Sequence, residues 1–522
     1  MGGKMRLFRM SLLFAAVLSI CGCASENLNS RKEKDMDSKS NILIGWASRD
    51  VTPKGKVNLA GQFHMRISSE IRDSLSVTAL AVSSETSGDS FIFVSCDSVC
   101  IGTPLIEESK AIIKTISKDF PLDKLVLNAT HAHTAPDIRD RTDKYSKLSA
   151  EEKKGLLYPE ENRAFLVEKI AEAAVESWNS RIPGMLAWGF SDAVVGRNRR
   201  AVYLEDFSKQ PDYKESPGRV IEKNARMYGK TENPFFSHIE GYEDHTVQFL
   251  LTFNMEGKLT GSIINMACPS QETGGASYVS ADFWHEVRQL LREQYGEKFF
   301  ILPQSSAAGD QTSYRMLNKA AEKRKLELKG IDARMDIARK VKQAFDDAYS
   351  WAPKDMRNDV NLKHVSKEIN LTKRIITEKE YKQNLEWARQ FDAMEKLDSR
   401  QQTFLQRCRD VVKRYEEQSQ GTSQKQPVEI HVVKLGDIVF ATNPFELFLD
   451  YGVRIQSRSP AVQTFIIQLA GKGIERGGSY LPTERAEAGG GYSATPYCNK
   501  VGSKGGQELV EETLKTINEL WK

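Results

Sequence analysis

Two histidines separated by one residue, His131 and His133, are the groups whose type and spacing most directly suggest chemistry. They follow the apolar run 124–130 (KLVLNAT), which predicts a buried strand. Side chains two residues apart point to the same face of a strand, so a metal ion could bind both imidazoles, or one while the other faces a substrate. Imidazole nitrogen suits zinc. The alternative is a pair of polar histidines in a hydrogen-bonded turn.

Other short apolar runs also end at groups that could bind a metal or a substrate. The run 261–267 ends at Cys268, 299–303 precedes Asp310 and Thr312, 438–442 precedes Glu446, and 464–470 leads into a glycine-rich stretch that reaches Tyr492. In α/β sheets the ligand crevice lies beyond the carboxyl ends of the strands. The pattern therefore predicts that several strand ends build one polar site, and it favours an enzyme.

The segments between these sites alternate strand-like and helix-like pieces, which is typical of an α/β or α+β domain. Residues 161–177 and 281–293 have the spacing of amphipathic helices. We expect one catalytic domain over residues 41–522, with a mixed sheet and helices on its faces.

Two regions depart from this alternation. Residues 317–424 hold two highly charged helical stretches around a strand-like 361–371, and they predict a helical insertion or lid. Residues 197–242 are rich in Asn, Pro, Tyr and charge without periodicity, and they predict a long irregular loop.

The N-terminus predicts export and lipidation. Basic residues precede the apolar core 11–20, which is too short to span a bilayer. The core ends in ICGC, which resembles a bacterial lipobox, so residues 1–22 would be a signal peptide and Cys23 the acylated cysteine. An ordinary secretory signal is the alternative. Residues 23–40 predict a flexible tether, and the protein would be lipid-anchored in the bacterial cell envelope, at the outer membrane or on a periplasmic or extracellular face.

The net charge and the cysteine spacing exclude two classes of protein. The net charge is +4 and the basic residues do not form one patch, so nucleic acid is not expected as a partner. The seven cysteines include no CxxC pair, which argues against a structural zinc knuckle. Removing Cys21 with the signal and Cys23 by lipidation leaves an odd number, so at least one is unpaired within the chain.

Six motifs, in the same order, resemble blocks of the neutral ceramidases. They are GWASRDVTP at 45–53, FVSCD at 93–97, THAHTAP at 130–136, AAGDQTS at 307–313, NPFE at 443–446, and YLPTE at 480–484 followed by Tyr492. Neutral ceramidases are zinc amidases that cut the N-acyl bond of ceramide. The resemblance therefore implies a zinc-dependent hydrolase of that kind.

The resemblance also implies roles for the matching residues. His131, Glu446 and Tyr492 would be zinc ligands, and His133 would face the substrate. A satisfied salt bridge for Glu446 and a core position for Tyr492 are the alternatives.

Two further residues carry an implied catalytic role. Thr312 stands where the family has a serine, so a hydroxyl is kept there. Asp310 would orient this hydroxyl or a ligand.

Several positions depart from the family pattern. Cys268 stands where the family has a second zinc histidine; a thiolate could replace it, and a small buried hydrophobe is the alternative. His285 could contact the substrate. Arg197 and Arg199 would suit a carboxylate, a phosphate or sugar hydroxyls if they lie at the cleft, and a basic loop in solvent is the alternative. The chain stops where ceramidases continue, so we expect no C-terminal β-sandwich.

The implied mechanism uses water activated by zinc, which lowers the pKa of bound water to roughly 7 and polarises an acyl carbonyl. His133 could shuttle a proton. The leading hypothesis is a surface-anchored hydrolase that cuts the amide bond of an N-acyl compound such as a sphingolipid. A hydrolase of acylated or glycosidic carbohydrate groups, and a binding lipoprotein with a degenerate site, are the alternatives.

Overall fold

The computed structural model describes residues 40–139, 145, 148–209, 223–421, 424–475 and 477–522. The expected signal peptide, Cys23 and residues 23–39 of the tether lie outside the described residues. None of the helices described is both long and apolar enough to cross a membrane. The five cysteines within the described ranges, Cys96, Cys100, Cys268, Cys408 and Cys498, are buried.

The secondary-structure elements are numbered in chain order. The strands are β1 (Ile42–Asp50), β2 (Lys56–Val57), β3 (Glu70–Ile71), β4 (Ser76–Ser84), β5 (Asp89–Cys96), β6 (Leu125–Ala129), β7 (Leu156–Leu157), β8 (Ile182–Asp192), β9 (Arg197–Asn198), β10 (Arg200–Tyr203), β11 (Ala225–Met227), β12 (Phe236–Ile239), β13 (Thr246–Asn254), β14 (Leu259–Met266), β15 (Tyr278–Val279), β16 (Phe300–Ser305), β17 (Gln311–Thr312), β18 (Leu362–Thr372), β19 (Lys425–Leu435), β20 (Ile438–Thr442), β21 (Glu446–Leu447), β22 (Gln463–Ile467) and β23 (Tyr480–Leu481). The helices are α1 (Thr103–Ile116), α2 (Ala150–Lys153), α3 (Pro159–Asn179), α4 (Phe283–Tyr295), α5 (Lys319–Lys329), α6 (Ala333–Trp351), α7 (Glu378–Asp392), α8 (Ser399–Ser419), α9 (Leu449–Arg458), α10 (Glu484–Gly489) and α11 (Ser503–Leu520). Short 3-10 turns lie at Leu122–Lys124, Phe207–Lys209, Ala352–Asp355 and Tyr492–Ala494.

The large sheet has the strand order β16-β14-β13-β8-β1-β4-β5-β6. Its central pairs are antiparallel, whereas the edge pairs β14–β16 and β5–β6 are parallel. β5 is buried along almost its whole length. A strand covered on both faces does not alternate apolar and polar residues, which explains its continuous apolar run.

A second, smaller sheet, with the order β18-β19-β20-β22, packs against the large one. β20 and β22 in this sheet are parallel. Side chains from both sheets form one hydrophobic cluster, in which the ring centroids of Phe93 and Phe440 lie 5.2 Å apart. The two sheets are therefore the inner layers of the molecule.

Helices cover the outer faces of both sheets. α1 and α3 pack on one part of the large sheet, α4 and α6 on the rest of it, and α9 and α11 on the small sheet. The result is a layered α/β fold. This confirms the predicted class, a mixed sheet with helices on its faces.

The segment 317–424 is only in part the charged helical insertion that the sequence predicts. It forms α5 to α8, with β18 between α6 and α7. β18 pairs with β19 along its whole length and belongs to the small sheet, and a buried face of α6 packs on the large sheet. α7 and α8, by contrast, form a small hydrophobic cluster of their own, and Asp398 caps the start of α8 in a capping box with Gln401.

The described parts of the segment 197–242, residues 197–209 and 223–242, are more regular than expected, and residues 210–222 lie outside the described residues. β10 pairs with β11 and β12 in a three-stranded sheet, and β9 pairs with β17. Arg197 and Arg199 are buried, so the interpretation of this stretch as a basic loop in solvent is wrong. Carbonyl oxygens of Ser313 and Gly309, distant in sequence, accept hydrogen bonds from the two guanidinium groups and offset the cost of burying them.

Candidate functional site

The carboxyl ends of the parallel strands meet at one edge of the two packed sheets. β5 and β6 end there in the large sheet, β20 and β22 end there in the small sheet, and a β-bridge between Asn128 and Ala470 joins the two sets. His131, just after β6, has a φ of 65°. Few non-glycine residues adopt this conformation, and such strain tends to occur at functional sites.

His131 presents one ring nitrogen to the site. Its Nδ1 lies 2.6 Å from the carbonyl oxygen of Val99, and this contact assigns the hydrogen to Nδ1. The Nε2 lone pair therefore faces His133 Nε2 at 3.1 Å and Glu446 Oε2 at 3.5 Å. In the contact between the two rings, His133 Nε2–H is the donor.

Burial keeps both imidazoles neutral near pH 7. Desolvation lowers the pKa of His131, and the opposing effect of Glu446 does not cancel it. Desolvation and the neighbouring His131 lower the pKa of His133 well below its usual value. A neutral imidazole keeps a lone pair for a metal ion or for a proton, as ligand and base chemistry both require.

Glu446 is fixed by backbone pairing and by a phenol. β21 and β23 pair in parallel, with Glu446 opposite Tyr480, and the Tyr480 hydroxyl donates a hydrogen bond to the Glu446 carboxylate. Gly309 packs against the same turn, where a Cβ atom would lie 2.3 Å from the carbonyl oxygen of Glu446. The close approach of these two loops therefore requires glycine at position 309.

Tyr492 reaches the same group of residues from the following loop. Its ring centroid lies 5.6 Å from that of Tyr480 and 5.2 Å from that of Phe63, and its hydroxyl is hydrogen-bonded to Arg407. Burial raises the pKa of both Tyr480 and Tyr492. The structure thus brings His131, Glu446 and Tyr492 together, as the sequence predicted.

These residues line one cavity of about 470 Å³. We call His131, His133, Glu446 and Tyr480 the strand-end floor of this cavity. Another part of the lining comes from α8, through Arg407, Asp410 and Arg414, which we call the helical wall. The cavity therefore joins groups on the sheet framework to groups from the segment 317–424.

Arg199 connects the floor to Thr312. One guanidinium nitrogen donates to the hydroxyl of Tyr228 at 2.6 Å, and the other lies 3.5 Å from the hydroxyl of Tyr480. Gln271 Nε2 donates to Tyr228 at 2.9 Å and lies 3.4 Å from Thr312 Oγ1. Thr312 is fully buried behind this network and is not part of the cavity lining.

Asp310 is a buried residue that supports the site from behind. Its carboxylate accepts hydrogen bonds from the side chain of Asn198 at 2.8 Å and from the backbone N–H of Leu449 at 2.9 Å. Burial raises its pKa to about 6, although the Leu449 N–H opposes this shift. Because Asp310 also lies outside the cavity lining, the geometry gives it a positioning role.

Cys268 is not brought to the floor. Its side chain lies in the hydrophobic cluster under α4, and its Sγ lies 3.8 Å from the carbonyl oxygen of Pro269. Burial raises the pKa of this thiol, which disfavours a thiolate. The placement matches the alternative of a small buried hydrophobe and not the zinc ligand.

The remaining predicted substrate contacts lie elsewhere. Arg197 lines a separate cavity of about 880 Å³, together with Glu272 and Tyr314, and its guanidinium donates to the carbonyl oxygen of Ser313 at 2.8 Å. His285 lies in the first turn of α4 and lines neither cavity. Of the predicted substrate contacts, Arg199 alone approaches the floor.

The donor set has the composition of a zinc site, although its arrangement is that of a hydrogen-bonded cluster. Within the described part of the chain, no group of three or more His, Cys, Asp and Glu side chains is arranged to hold a metal ion. The types nevertheless fit: the His131 Nε2 lone pair faces the Glu446 carboxylate, and nitrogen and carboxylate oxygen are ordinary zinc ligands. A phenol oxygen bonded to that carboxylate is the third available donor.

Comparison with known proteins supports the fold. No protein-family model and no curated protein sequence matches the chain. Among solved structures, the chain is similar to a neutral ceramidase from Pseudomonas aeruginosa, with a TM-score of 0.62 and 14% identity over 92% of this chain and 75% of that one. A structure described as a ceramidase complexed with C2 is similar to the same extent, with a TM-score of 0.61. The chain therefore has a ceramidase-like fold.

Sequence reasoning missed two residues of the cavity. Tyr480 opens the YLPTE block, but only the β21–β23 register shows that it, and not just Tyr492, meets Glu446. Arg407 gave no signal, because one arginine on a charged amphipathic helix looks like a solvated residue. Its ring neighbours, Phe63 and Tyr497, are far away in sequence.

Proposed function

We propose that the protein is a hydrolase that cuts the amide bond of an N-acyl compound, with lipid-like N-acyl compounds such as sphingolipids as the first candidates. One observation carries the proposal. Two neutral imidazoles, a carboxylate and a phenol converge on the strand ends of a ceramidase-like fold and line a cavity. Ligand sites of α/β folds lie at such strand ends.

We propose zinc as the cofactor, held by His131 Nε2, the Glu446 carboxylate and the phenol of Tyr480 or Tyr492. Zinc supplies Lewis acidity toward a water molecule and toward an acyl carbonyl when it is bound. Val99 fixes the His131 tautomer by accepting the Nδ1 hydrogen, as outer partners of ligating histidines commonly do. Cys268 has no part in this assignment.

The remaining floor residues would handle the proton and the developing charge. His133 carries a hydrogen on Nε2 and is neutral, so it can donate to an oxyanion that forms within reach of the floor. The buried guanidinium of Arg199 holds Tyr480 and Tyr228 in place. Asp310 orders the Leu449 N–H and Asn198 behind the floor, and Thr312 is ordered through Gln271.

A substrate screen with a matched pair of variants tests this proposal. Purified protein is assayed on N-acyl lipids and on acylated glycans, and its zinc content is measured. We expect amide hydrolysis and bound zinc, both lost in His131→Ala and both kept in His238→Ala, which replaces an exposed histidine on β12. Hydrolysis unaffected by His131→Ala would refute the catalytic assignment, and activity on acylated glycans alone would favour the carbohydrate alternative.

We also propose that the protein acts at a membrane surface of the bacterial cell envelope, tethered by a lipid on Cys23. Lys/Arg residues, an apolar core and the ICGC sequence support this. Incorporation of a labelled fatty acid into the full chain, absent in Cys23→Ser, is the expected result. Unchanged labelling of Cys23→Ser would refute it.

A further inference from the structure

Arg407 places a positively charged guanidinium in the candidate cavity, and no carboxylate contacts this guanidinium among the described residues. It belongs to α8 and lines the same cavity as His131 and Glu446. Its described polar contacts are the Tyr492 hydroxyl and the Sγ of Cys498, at 3.8 Å from Nη1. Neither contact is with a carboxylate, and within the described residues no Asp or Glu oxygen forms an ion pair with this guanidinium.

Aromatic rings fix the position of this guanidinium. Its central carbon lies 4.6 Å from the ring centroid of Phe63 and 5.6 Å from that of Tyr497. Contacts of this type attract a cation and restrict its side chain, but they use none of its N–H donors. The group is therefore held in place and keeps donors for a further partner.

The other cationic side chains that line the cavity have acceptors from the protein itself. Arg139 forms a two-point contact with Asp137, with N–O distances of 2.7 and 3.1 Å. Arg414 donates to the carbonyl oxygens of Pro496 and Asn499 at 2.7 and 2.9 Å, and its Nη1 lies 3.8 Å from a carboxylate oxygen of Asp410.

Lys500 lies 3.6 Å from a carboxylate oxygen of Asp410. Each of these cations thus has a protein acceptor that takes its donors. Arg407 differs from them, among the described residues, in having no carboxylate partner.

A half-buried charge without a counter-ion costs free energy unless a ligand supplies the opposite charge. A guanidinium is planar and carries five donors, and it matches carboxylate, sulfonate and phosphate oxygens in two-point contacts. Ceramide has no anionic group for such a contact. Arg407 would therefore bind a part of the substrate that an uncharged N-acyl lipid lacks.

We propose that the substrate is an N-acyl compound that carries an anionic group, and that Arg407 binds that group. This inference rests on the proposed function for the reaction, and it adds the charge of the substrate. Arg407 is then a specificity-determining residue on the helical wall, while the bond that is cut faces the strand-end floor.

A matched pair of probes, one anionic and one uncharged, and a third probe with a different anionic group test the inference. They are N-dodecanoyl-glycine, its uncharged amide N-dodecanoyl-glycinamide, and N-dodecanoyl-taurine, which separates a sulfonate from a carboxylate. Ketone analogues, in which CH2 replaces the amide N–H, report binding without hydrolysis. Binding and kcat/KM are measured on the full chain, Arg407→Gln, Arg407→Lys and the control Arg409→Gln, which replaces an exposed arginine on the same helix.

We expect wild type and Arg409→Gln to bind and cut at least one anionic probe about 10- to 100-fold better than the uncharged amide, as a charged hydrogen bond would give. Arg407→Gln should lose this preference, because kcat/KM and binding for the anionic probe should fall about 10- to 100-fold more than those for the uncharged amide. Arg407→Lys should keep part of it, and this variant decides the case if Arg407→Gln does not fold.

The outcomes separate the two proposals. Hydrolysis of charged and uncharged probes at equal efficiency in wild type, or a preference that survives Arg407→Gln, would overturn the role of Arg407 and leave the amidase proposal standing. Charge-selective binding of the ketone analogues without hydrolysis of any probe would overturn the amidase proposal and leave the anion site standing.

Discussion

The floor and the wall of the candidate cavity are built in different ways. The floor residues Glu446 and Tyr480 face each other across a parallel strand pair, and His131 follows directly on a buried strand of the large sheet. The wall residue Arg407 sits on a helix that packs mainly on its neighbour α7, in a small cluster of its own. Backbone register fixes the floor, whereas helix docking fixes the wall.

We infer from this difference that the floor carries out the reaction and that the wall selects the substrate. A floor group cannot move without disturbing a sheet on which the large hydrophobic clusters of the protein rest. The wall touches that framework through a few side chains, among them Tyr497, which packs against both the α7–α8 cluster and the cluster under the small sheet. Substitutions in the wall should therefore change what binds, and substitutions in the floor should change whether it reacts.

The largest expected effect is at Glu446. Glu446→Gln keeps the shape of the side chain but removes its charge, and we expect kcat/KM to fall by about 10²- to 10³-fold, the usual cost of losing one electrostatic group in a catalytic site. Thermal unfolding should change little, since the backbone pairing remains. Glu475→Gln is the matched control, because Glu475 is an exposed carboxylate on the same cavity. An equal loss of kcat/KM in both variants would mean that Glu446 contributes no more to catalysis than an exposed carboxylate of the same cavity.

The two phenols provide a finer test of the floor. Tyr480→Phe removes the hydroxyl that bonds to Glu446, and we expect about a 10- to 100-fold loss of zinc affinity, as for other groups that orient a metal ligand. Tyr492→Phe should cost less, because its hydroxyl bonds to Arg407 of the wall. Zinc titration of both variants measures the difference. A larger loss for Tyr492→Phe would show that Tyr492, and not Tyr480, supplies the phenol oxygen to zinc.

The sequence predicted the framework and most of the floor for one physical reason. Strands buried on both faces are read as continuous apolar runs, so the runs at 124–130 and 438–442 located β6 and β20, and the polar residues after them located the edge. His131, Glu446 and Tyr492 indeed line one cavity.

What sequence could not supply depends on contacts between distant residues. The face to which Cys268 turns is set by packing under α4, and the choice of Tyr480 as the partner of Glu446 is set by strand register. The strand-like prediction for residues 361–371 is confirmed by β18, but the sequence did not show that this strand pairs with β19 at the edge of the small sheet.

Loss of Arg414 should loosen the wall with a moderate effect on stability. Arg414→Met leaves the carbonyl oxygens of Pro496 and Asn499 without their donors, and we expect the free energy of unfolding to fall by about 1–3 kcal/mol. Its effect on kcat for an uncharged substrate should be small. Urea denaturation and kinetics measure both. Lys413→Met, an exposed neighbour, is the control, and equal stability of the two variants would contradict the docking role of Arg414.

The smallest effect concerns acid stability where the segment 317–424 joins the small sheet. His364 of β18 donates from Nδ1 to the carbonyl oxygen of Ser90 at 3.1 Å, and its Nε2 lies 2.9 Å from His431 Nδ1. An added proton would place a positive charge on the ring of a residue that is only 5% exposed. Burial, followed by the charges of His431 and Lys124, lowers the pKa of His364 to about 3.

Because the unfolded state binds the proton more readily, stability is complete above pH 6.5 and is lost as the pH falls toward 3, with a slope of up to about 1.4 kcal/mol per pH unit. His364→Asn cannot be protonated in this range. We expect its free energy of unfolding to decline less between pH 7 and pH 5 than that of wild type, measured by urea denaturation at each pH. His238→Asn, at an exposed site, should decline as wild type does. A parallel decline in all three proteins would show that β18 does not set the acid limit of the framework, and that the join between wall and framework responds to pH through other groups.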